Sequence, residues 1–542
     1  MRSHRSPFCL LGLVVLLTPA GFSATVTGMV KGPDGKPFTG AFVQAQNTKM
    51  RMTVSVLSDS QGHYQIEKLP AGEYRVMIKA VGYRAEPRMG VQLAADQNAS
   101  FDFDLQKSTV HWNEISYYQA LQLWPAAQGK QIILRNCSNC HEFQTRMASV
   151  TRDADGWRDR VEFMRTTMHF NLPHLTDQDA ADVASYLTSL FGPDSVLPKS
   201  PAEMQKYKDT LRPFSSDALN IVYVEYDMPG PNRMPFSAAP DKNGYVWIPN
   251  FGVANKITRL DPKTGEMQDY PVPNIGTAAV HSAVPAPDGS VWLAEQGSDK
   301  LGRWDPNTQK ITEFQDQYMP GKEGIAEGGE KHTVRLDPSG NVWASGVPLT
   351  KFDPETRKFT RFEEVTYAYD VKPDKNGDVW FTNPDVWSTN PRANRIGKVD
   401  GKTMKVTMWT VPTPNSYPRR MEISADGMIW FGEFNSGKMC RFDPQTETFK
   451  EYPLPGPDST PYALGIDSEG YIWYDSHRMD IIGRFDPKTG NVVEYPFPQS
   501  ELSMREFFRD TQGRMWFGTN PNNKVGYFYL VAKRAGTQSL NR

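Results

Sequence analysis

Three reactive side chains stand together in "LRNCSNCHEF" (134–143): Cys137, Cys140 and, directly behind them, His141. The chain has only four cysteines in 542 residues, so this pair is not a by-product of abundance. Two thiols three positions apart lie about one helical turn from each other, and the next residue shares their neighbourhood. A thioredoxin-like redox pair would sit in a βαβ setting, and the flanking residues supply none. A zinc site would want two further ligands at similar spacing. A structural disulfide would leave His141 without a role. The remaining chemistry uses all three residues. Cys137 and Cys140 form thioethers to a porphyrin while His141 reaches its iron, so the expected cofactor is haem c, with His141 as proximal ligand.

A second axial ligand is sought in "GWRDRVEFMRTTMHFNLPHLT" (156–176). Trp157, Val161, Met164 and Met168 fall on one helix face. Met164 is the expected iron ligand, and Met168, His169 and His174 are the alternatives. Met147 lies too close to His141 in sequence to be favoured.

These residues need a helical frame, and residues 108–195 have one. "EISYYQALQLW" and "DQDAADVASYLTSLF" carry apolar residues at helical spacing, Thr176 and Asp179 form a capping pair, and Gly192-Pro193 ends the last helix. Residues 196–217 read as a linker stiffened by Pro198, Pro201 and Pro213. Residues 1–23 carry Arg2 and Arg5, an apolar run at 8–17 and small residues after it, the order of a signal peptide. The expected location is therefore periplasmic or secreted, without a transmembrane anchor. Cys9 would leave with the signal. With 60 basic and 62 acidic side chains, no positive surplus exists to attract nucleic acid.

Residues 24–107 alternate apolar and polar positions between turn residues, the pattern of a β-sandwich. From 218 to 532 the chain repeats. Trp247, Trp292, Trp343, Trp380, Trp430, Trp473 and Trp516 recur at 37 to 51 residues, which predicts a seven-bladed β-propeller. A second series, beginning with "VEYDMP" (224–229) ahead of the first tryptophan, predicts that this early strand completes the last blade. Residues 533–542 form a tail. Overall, the fold class is multidomain and mainly β: a sandwich, a small all-α domain and a propeller.

Eleven residues before each repeat tryptophan stand Phe236, His281, His332, Tyr369, Arg419, Tyr462 and Arg505. Three residues after it stand Asn250, Glu295, Gly346, Asn383, Glu433, Ser476 and Thr519. Equivalent blade positions recur around the axis, so two rings at one mouth of the channel are expected, with His281, Arg419, Tyr462 and Arg505 available to bind substrate.

Three segments resemble known families. "SDSQGHYQIEKLPAGEYRVMIKAVGYR" (58–84) is similar to carboxypeptidase regulatory-like domains, small transthyretin-like sandwiches that serve as spacers or docking modules. Residues 115–195 resemble monohaem cytochrome c domains, whose Trp-x-x-x-Val-x-x-Met pattern selects Met164. "HSAVPAPDGSVWLAEQGSDKLGRWDP" and "YALGIDSEGYIWYDSHRMDIIGRFDP" resemble the virginiamycin B (streptogramin) lyase family, over roughly 220–530. That family opens a cyclic depsipeptide by elimination, with magnesium held by glutamates and a histidine base. The resemblance implies His332 as base, His281 as substrate contact and Glu330 as magnesium ligand. A further family glutamate falls where this chain has Gly346, and Glu295 is the expected substitute. Three readings follow. The first is a c-type haem redox protein whose propeller binds an organic substrate or a redox partner. The second is a magnesium-dependent C–O lyase, acting on a small molecule or cyclic peptide, with an accessory cytochrome. The third is an electron carrier with β interaction modules.

Overall fold

The computed structural model describes residues 23–139, 142–167, 175–274, 276–316, 330–384, 390 and 393–532. The expected signal peptide (apart from Ser23) and the tail lie outside the described residues, as do Cys140, His141, Met168, His169 and His174.

Residues 24–107 fold as two facing sheets. One pairs Ala24–Lys31 with His63–Leu69, Asn98–Ser100 and Phe103–Asp104; the other orders Met52–Leu57, Phe42–Asn47, Gly72–Lys79 and Arg88–Leu93. Alternating residues such as Val26, Val30, Tyr64, Ile66, Tyr74 and Val76 fill the space between them.

Four α-helices follow among the described residues: α1 (Tyr117–Leu123), α2 (Gln128–Asn136), α3 (Ala154–Thr167) and α4 (Asp177–Phe191). Thr176 caps α4 together with Asp179, as the sequence predicts, and Ser116 with Gln119 caps α1 in the same way. Helices α2 and α4 cross at backbone distance, because Gly129 has no side chain: a Cβ there would stand 2.5 Å from the Tyr186 Cβ. Tyr117, Trp124, Phe143, Tyr186 and Phe191 form the aromatic heart of this unit. The linker is no free tether. Leu197, Met204 and Tyr207 join the helical core, the Pro198 carbonyl accepts from the Trp112 indole at 2.8 Å, and Arg212 pairs with Glu494 of the propeller at 2.8 Å.

The propeller has seven blades. Six are four-stranded sheets beginning near Ala239, Val280, Glu330, Val371, Pro418 and Pro461. The seventh joins Phe508–Arg509, Met515–Thr519 and Lys524–Leu530 to the early strand Ile221–Asp227, so the ring closes through its N-terminal strand. The repeat tryptophans act between blades. Trp292 meets Phe352, Trp380 meets Phe442, Trp430 meets Phe485 and Trp473 meets Phe528, with ring centroids 4.8 to 6.0 Å apart. In four blades the indole N–H also donates to an aspartate six residues earlier, as Trp247 does to Asp241 at 3.0 Å, which fixes the preceding turn.

The early strand does not end the seventh blade's sheet. Its other edge pairs with Met52–Leu57 of the sandwich, Val224 opposite Val54, giving one continuous sheet of eight strands. The N-terminal unit is thereby built onto the propeller by strand addition.

Candidate functional site: the channel mouth and the helical unit docked on it

The seven residues that stand eleven positions before the tryptophans form a closed ring. Phe236 lies 4.9 Å from His281, His281 3.8 Å from His332, and His332 4.5 Å from Tyr369, centroid to centroid. The Arg419 guanidinium sits 5.4 Å from the Tyr369 ring and 4.2 Å from the Tyr462 ring. Arg505 completes the circuit, 4.7 Å from Tyr462 and 5.3 Å from Phe236. The Tyr369 and Tyr462 hydroxyls also meet. All seven side chains are buried.

Strict alternation along the strands hides a layer beneath the ring. The next residue on three of these strands also faces the channel: Thr333, Asp370 and Arg420, joined by Glu506 from the seventh blade. Arg420 Nη1 donates to Thr333 Oγ1 at 2.6 Å and stands 3.2 Å from Asp370 Oδ1 and 3.4 Å from Glu506 Oε1. Arg335 Nη2 donates to Glu506 Oε1 at 2.7 Å. Two successive inward residues break strict alternation, and for Thr333 and Arg420 the inner strands show why: pairing register shifts between Lys331 and Val334 and between Pro418 and Met421.

Burial holds both His281 and His332 well below the usual imidazole range. The neighbouring His332 and then Arg420 add to this for His281, and Arg420 does so for His332, so both are neutral at pH 7. Their hydrogen bonding differs. His332 Nδ1 lies 3.1 Å from Thr333 Oγ1, and the imidazole also bonds the Tyr369 carbonyl. His281 Nδ1 is buried without a partner among the described residues. His281 is therefore a second candidate proton acceptor beside His332, the base that the family resemblance implied.

The carboxylates expected to hold magnesium are not brought onto one site. Glu330 accepts from Gln296 Nε2 at 2.9 Å and bonds Tyr367, and burial pushes its carboxyl up to about 7. Glu295 instead takes Ser298 at 2.9 Å and neighbours Glu313 and Lys300, its carboxyl pushed up to about 8 by burial and then by Glu313. The second expected ring is absent in the same sense: Asn250 bonds Thr258, Glu433 bonds Ser436 and Asn383 bonds the Tyr367 carbonyl, all turned into their own blades and hairpins. Gly346 has φ +130°, and a Cβ there would lie 1.9 Å from the Glu330 carbonyl oxygen, so no carboxylate fits at that hairpin. Among the described residues, no group of three or more His, Cys, Asp or Glu side chains is arranged to hold a metal ion. A magnesium site of the implied kind does not fit these residues.

The helical unit docks on the sixth blade at this same mouth. Helix α1 packs on the turn His477–Met479. Arg478 Nη2 donates to Ser138 Oγ at 3.1 Å, between the two motif cysteines. Gln144 Nε2 donates to Asp480 Oδ2 at 3.1 Å, and the Thr145 N–H donates to Glu501 Oε2 at 2.8 Å. His477, beside Arg478, stacks on Tyr462 with centroids 4.6 Å apart and lies 3.2 Å from Arg505 Nη1. Its Nδ1 pairs with Asp475 at 2.7 Å, yet burial outweighs that partner and lowers the imidazole to about 4. The tryptophan-spaced alignment missed His477 because it stands one residue beyond the aligned Ser476.

Several features of the helical unit suit a porphyrin. Cys137 is half-buried where α2 ends and packs against the core. Helices α2 and α3 each pack on α4 and make little contact with one another. On α3, Trp157 and Val161 are buried and Met164 is half-buried, one face as expected. The Trp157 indole N–H is buried with no acceptor among the described residues, while the Arg152 guanidinium lies 4.8 Å over its ring and Arg160 is close enough to lower the Arg152 pKa further after burial. Unsatisfied donor and clustered cations match the anionic edge of such a group. Cys440, by contrast, is a buried thiol in the fifth blade with its pKa raised by burial.

The family model of the carboxypeptidase regulatory-like domain matches residues 25–106, and that of the virginiamycin B lyase family matches residues 380–534. No curated protein matches the chain. Among solved structures, a streptogramin B lyase is 21% identical, covering 58% of this chain and 99% of its own, with a TM-score of 0.51. A virginiamycin B lyase from Staphylococcus aureus is 21% identical, covering 57% of this chain and 98% of its own, with a TM-score of 0.49. The likeness at this identity is one of fold: the C-terminal domain is a virginiamycin B lyase-like propeller, and the N-terminal one a carboxypeptidase regulatory-like domain.

Proposed function

We propose that this protein is an exported c-type haem redox protein whose propeller mouth binds an organic substrate or a partner. Cys137 and Cys140 would tether the haem, His141 would be its proximal ligand and Met164 its distal one. Bound there, the haem would supply one-electron transfer onward to a redox partner protein. The observation that carries this reading is the contact of the motif turn with the ring: Ser138 on Arg478, and the adjacent His477 stacked on Tyr462. A cytochrome tethered for an unrelated purpose has no need of that contact. Within the mouth, Arg419 and Arg505 orient the ligand by charge, the aromatic faces of Phe236, Tyr369 and Tyr462 hold its apolar body, and neutral His281 or His332 accepts a proton. The buried ion cluster beneath excludes water from below.

The test follows the haem spectrum of the purified exported protein while candidate substrates are added, with and without magnesium. Substrate-dependent haem reduction, indifferent to magnesium, is the expected result. Substrate consumed only with magnesium and without a spectral change would replace this reading by a lyase. The double variant Cys137→Ala/Cys140→Ala should lose covalent haem, and haem that extracts freely from the parent protein would remove the basis of the proposal.

A further inference from the structure

The ring at the mouth is shut. Each of its seven members is between 2 and 6% exposed, so a ligand enters only in a second arrangement. The way the units are held together shows which part can move. The sandwich cannot, because its core residues form one cluster with those of the seventh and first blades. The helical unit has a core of its own. That core is drawn from residues 110–207, and among the described residues none of it is shared with a core of the propeller. The bonds that hold the unit down are polar. To those of Ser138, Gln144 and Thr145 is added Ser500 Oγ, which donates to the Asn113 carbonyl at 2.9 Å. Such bonds are exchanged for bonds to water when two bodies part, at far lower cost than opening a shared apolar core.

The tethers on either side permit such a movement. Residues 106–109 and 213–215 are exposed, and Leu211 and Phe214 show 52% and 42% of their surface to solvent, so no packing stiffens the chain at these points. One turn links the polar contact to the ring. Helix α1 rests on His477–Met479, Arg478 takes Ser138, and Asp480 takes Gln144. The first residue of the same turn, His477, stacks on Tyr462 at 4.6 Å and lies 3.2 Å from Arg505 Nη1. We infer that the helical unit is a hinged cap on the propeller mouth: it lifts as one body on its two tethers and frees the turn His477–Met479, so that the ring opens beside Tyr462 and Arg505. Docked, the cap brings the motif turn to the ring; lifted, it admits the ligand. This states how the site of the proposed function is reached, and rests on the mouth being that site, not on the haem.

Hydrogen exchange of the full-length protein, followed by mass spectrometry, tests it. The Thr145 N–H donates to Glu501 of the propeller, so docking protects it. The peptide carrying Thr145 and the turn 477–480 should exchange together, and faster than α4 or the sixth-blade strands. Arg478→Ala and Ser500→Ala each remove a contact that does not involve Thr145. Arg478→Ala should speed exchange of the Thr145 peptide about tenfold and Ser500→Ala several-fold, with α4 and the strand Pro461–Ile466 unchanged. His477, 0% exposed when docked, should react faster with diethyl pyrocarbonate in Ser500→Ala than in the parent. Ser500→Ala alone serves as the measurement if Arg478→Ala does not fold. Thr145 exchanging no faster than α4, variants that change only the amides beside the substitution, or unchanged His477 reactivity would overturn the assignment. The readout is opening, so a cap that never lifts would leave the haem reading standing, and a protein without covalent haem would leave the cap to be judged on its own.

Discussion

Gly346 shows how one residue can close off a chemistry. Its backbone is in the left-handed half of conformational space and its missing Cβ is the space that the Glu330 carbonyl occupies. The N–H of Gly346 donates to the Ala368 carbonyl at 2.8 Å, and the Ala368 N–H returns a bond at 3.1 Å, so the hairpin cannot move aside cheaply. Gly346→Glu should therefore destabilise the protein by roughly 1–3 kcal/mol or more rather than complete a metal site. Urea midpoints with and without magnesium check this, and a variant as stable as the parent, or rescued by magnesium, would contradict it. The two imidazoles make a second prediction at this scale. Their folded pKa values lie below the unfolded value near 6.5, so neither gains a proton as pH falls from 8 to about 6. His281 and His332 should therefore add no step to ligand binding at the mouth across that interval, and any step near pH 7 should be lost in Glu330→Gln, whose carboxyl is pushed up to about 7; a step that survives this change would contradict the expectation. The ring itself was legible in sequence because each member keeps a fixed distance from a repeated tryptophan. Arg420, Asp370 and Glu506 also keep a fixed spacing, ten residues before a repeated tryptophan, but strict alternation assigns that position to the opposite face, so their meeting in the channel was not read.

At the scale of elements, the contact between the helical unit and the sixth blade is built from acids. Asp480 faces Glu142 and Glu501, with Gln144, Arg478 and the Leu502 N–H around it. Burial, with Glu501 adding repulsion, pushes Asp480 up to about 8, and burial raises Glu142 and Glu501 as well. A carboxyl whose folded pKa is raised keeps its proton in the fold while the unfolded chain ionises. The stability it contributes is full below the unfolded pKa near 4 and is lost as pH rises towards 8. Melting temperature should fall over that interval, and Asp480→Asn, which cannot ionise, should melt close to the parent at pH 4 and above it at pH 8. A variant less stable than the parent at pH 8 would show that the charged form is the one this contact uses. Helix α3 carries a separate expectation. Under the proposed haem ligation a thioether raises the potential, so Met164→Ala should lower it in a redox titration, and an unchanged potential would move the assignment to Met168, His169 or His174. The helices and their caps were legible from periodicity and from the Thr176–Asp179 pair. Which face of the propeller they would cover was not, because Ser138, Gln144 and Arg478 look like ordinary surface residues until two distant segments meet.

For the whole molecule, the eight-stranded sheet decides how the three units hold together. A propeller that closes through its early strand usually leaves that strand's outer edge to solvent, and such an edge invites pairing with other chains. Here Val222, Val224 and Tyr226 on that strand are buried in one core with Val54, Val56 and Met52 of the sandwich, alongside Val246, Ile248 and Leu260 of the first blade. The carboxypeptidase regulatory-like domain is thus the cover of the propeller's last edge, where its family resemblance alone suggested a spacer or docking module. Removing residues 24–107 uncovers the backbone edge of Ile221–Asp227 and strips apolar partners from three of its side chains at once. At about 25 cal/mol per Å² of apolar surface, such exposure is worth several kcal/mol, comparable with the net stability of a domain. The truncated protein should therefore melt at lower temperature and associate with rising concentration, while a single break in the pairing, Ser55→Pro, should reproduce part of the loss with the sandwich still present. Light scattering and thermal denaturation of the purified proteins measure both. A truncated propeller that stays monomeric with the parent's melting temperature would show that the seven blades are self-sufficient and that the sandwich is a passenger.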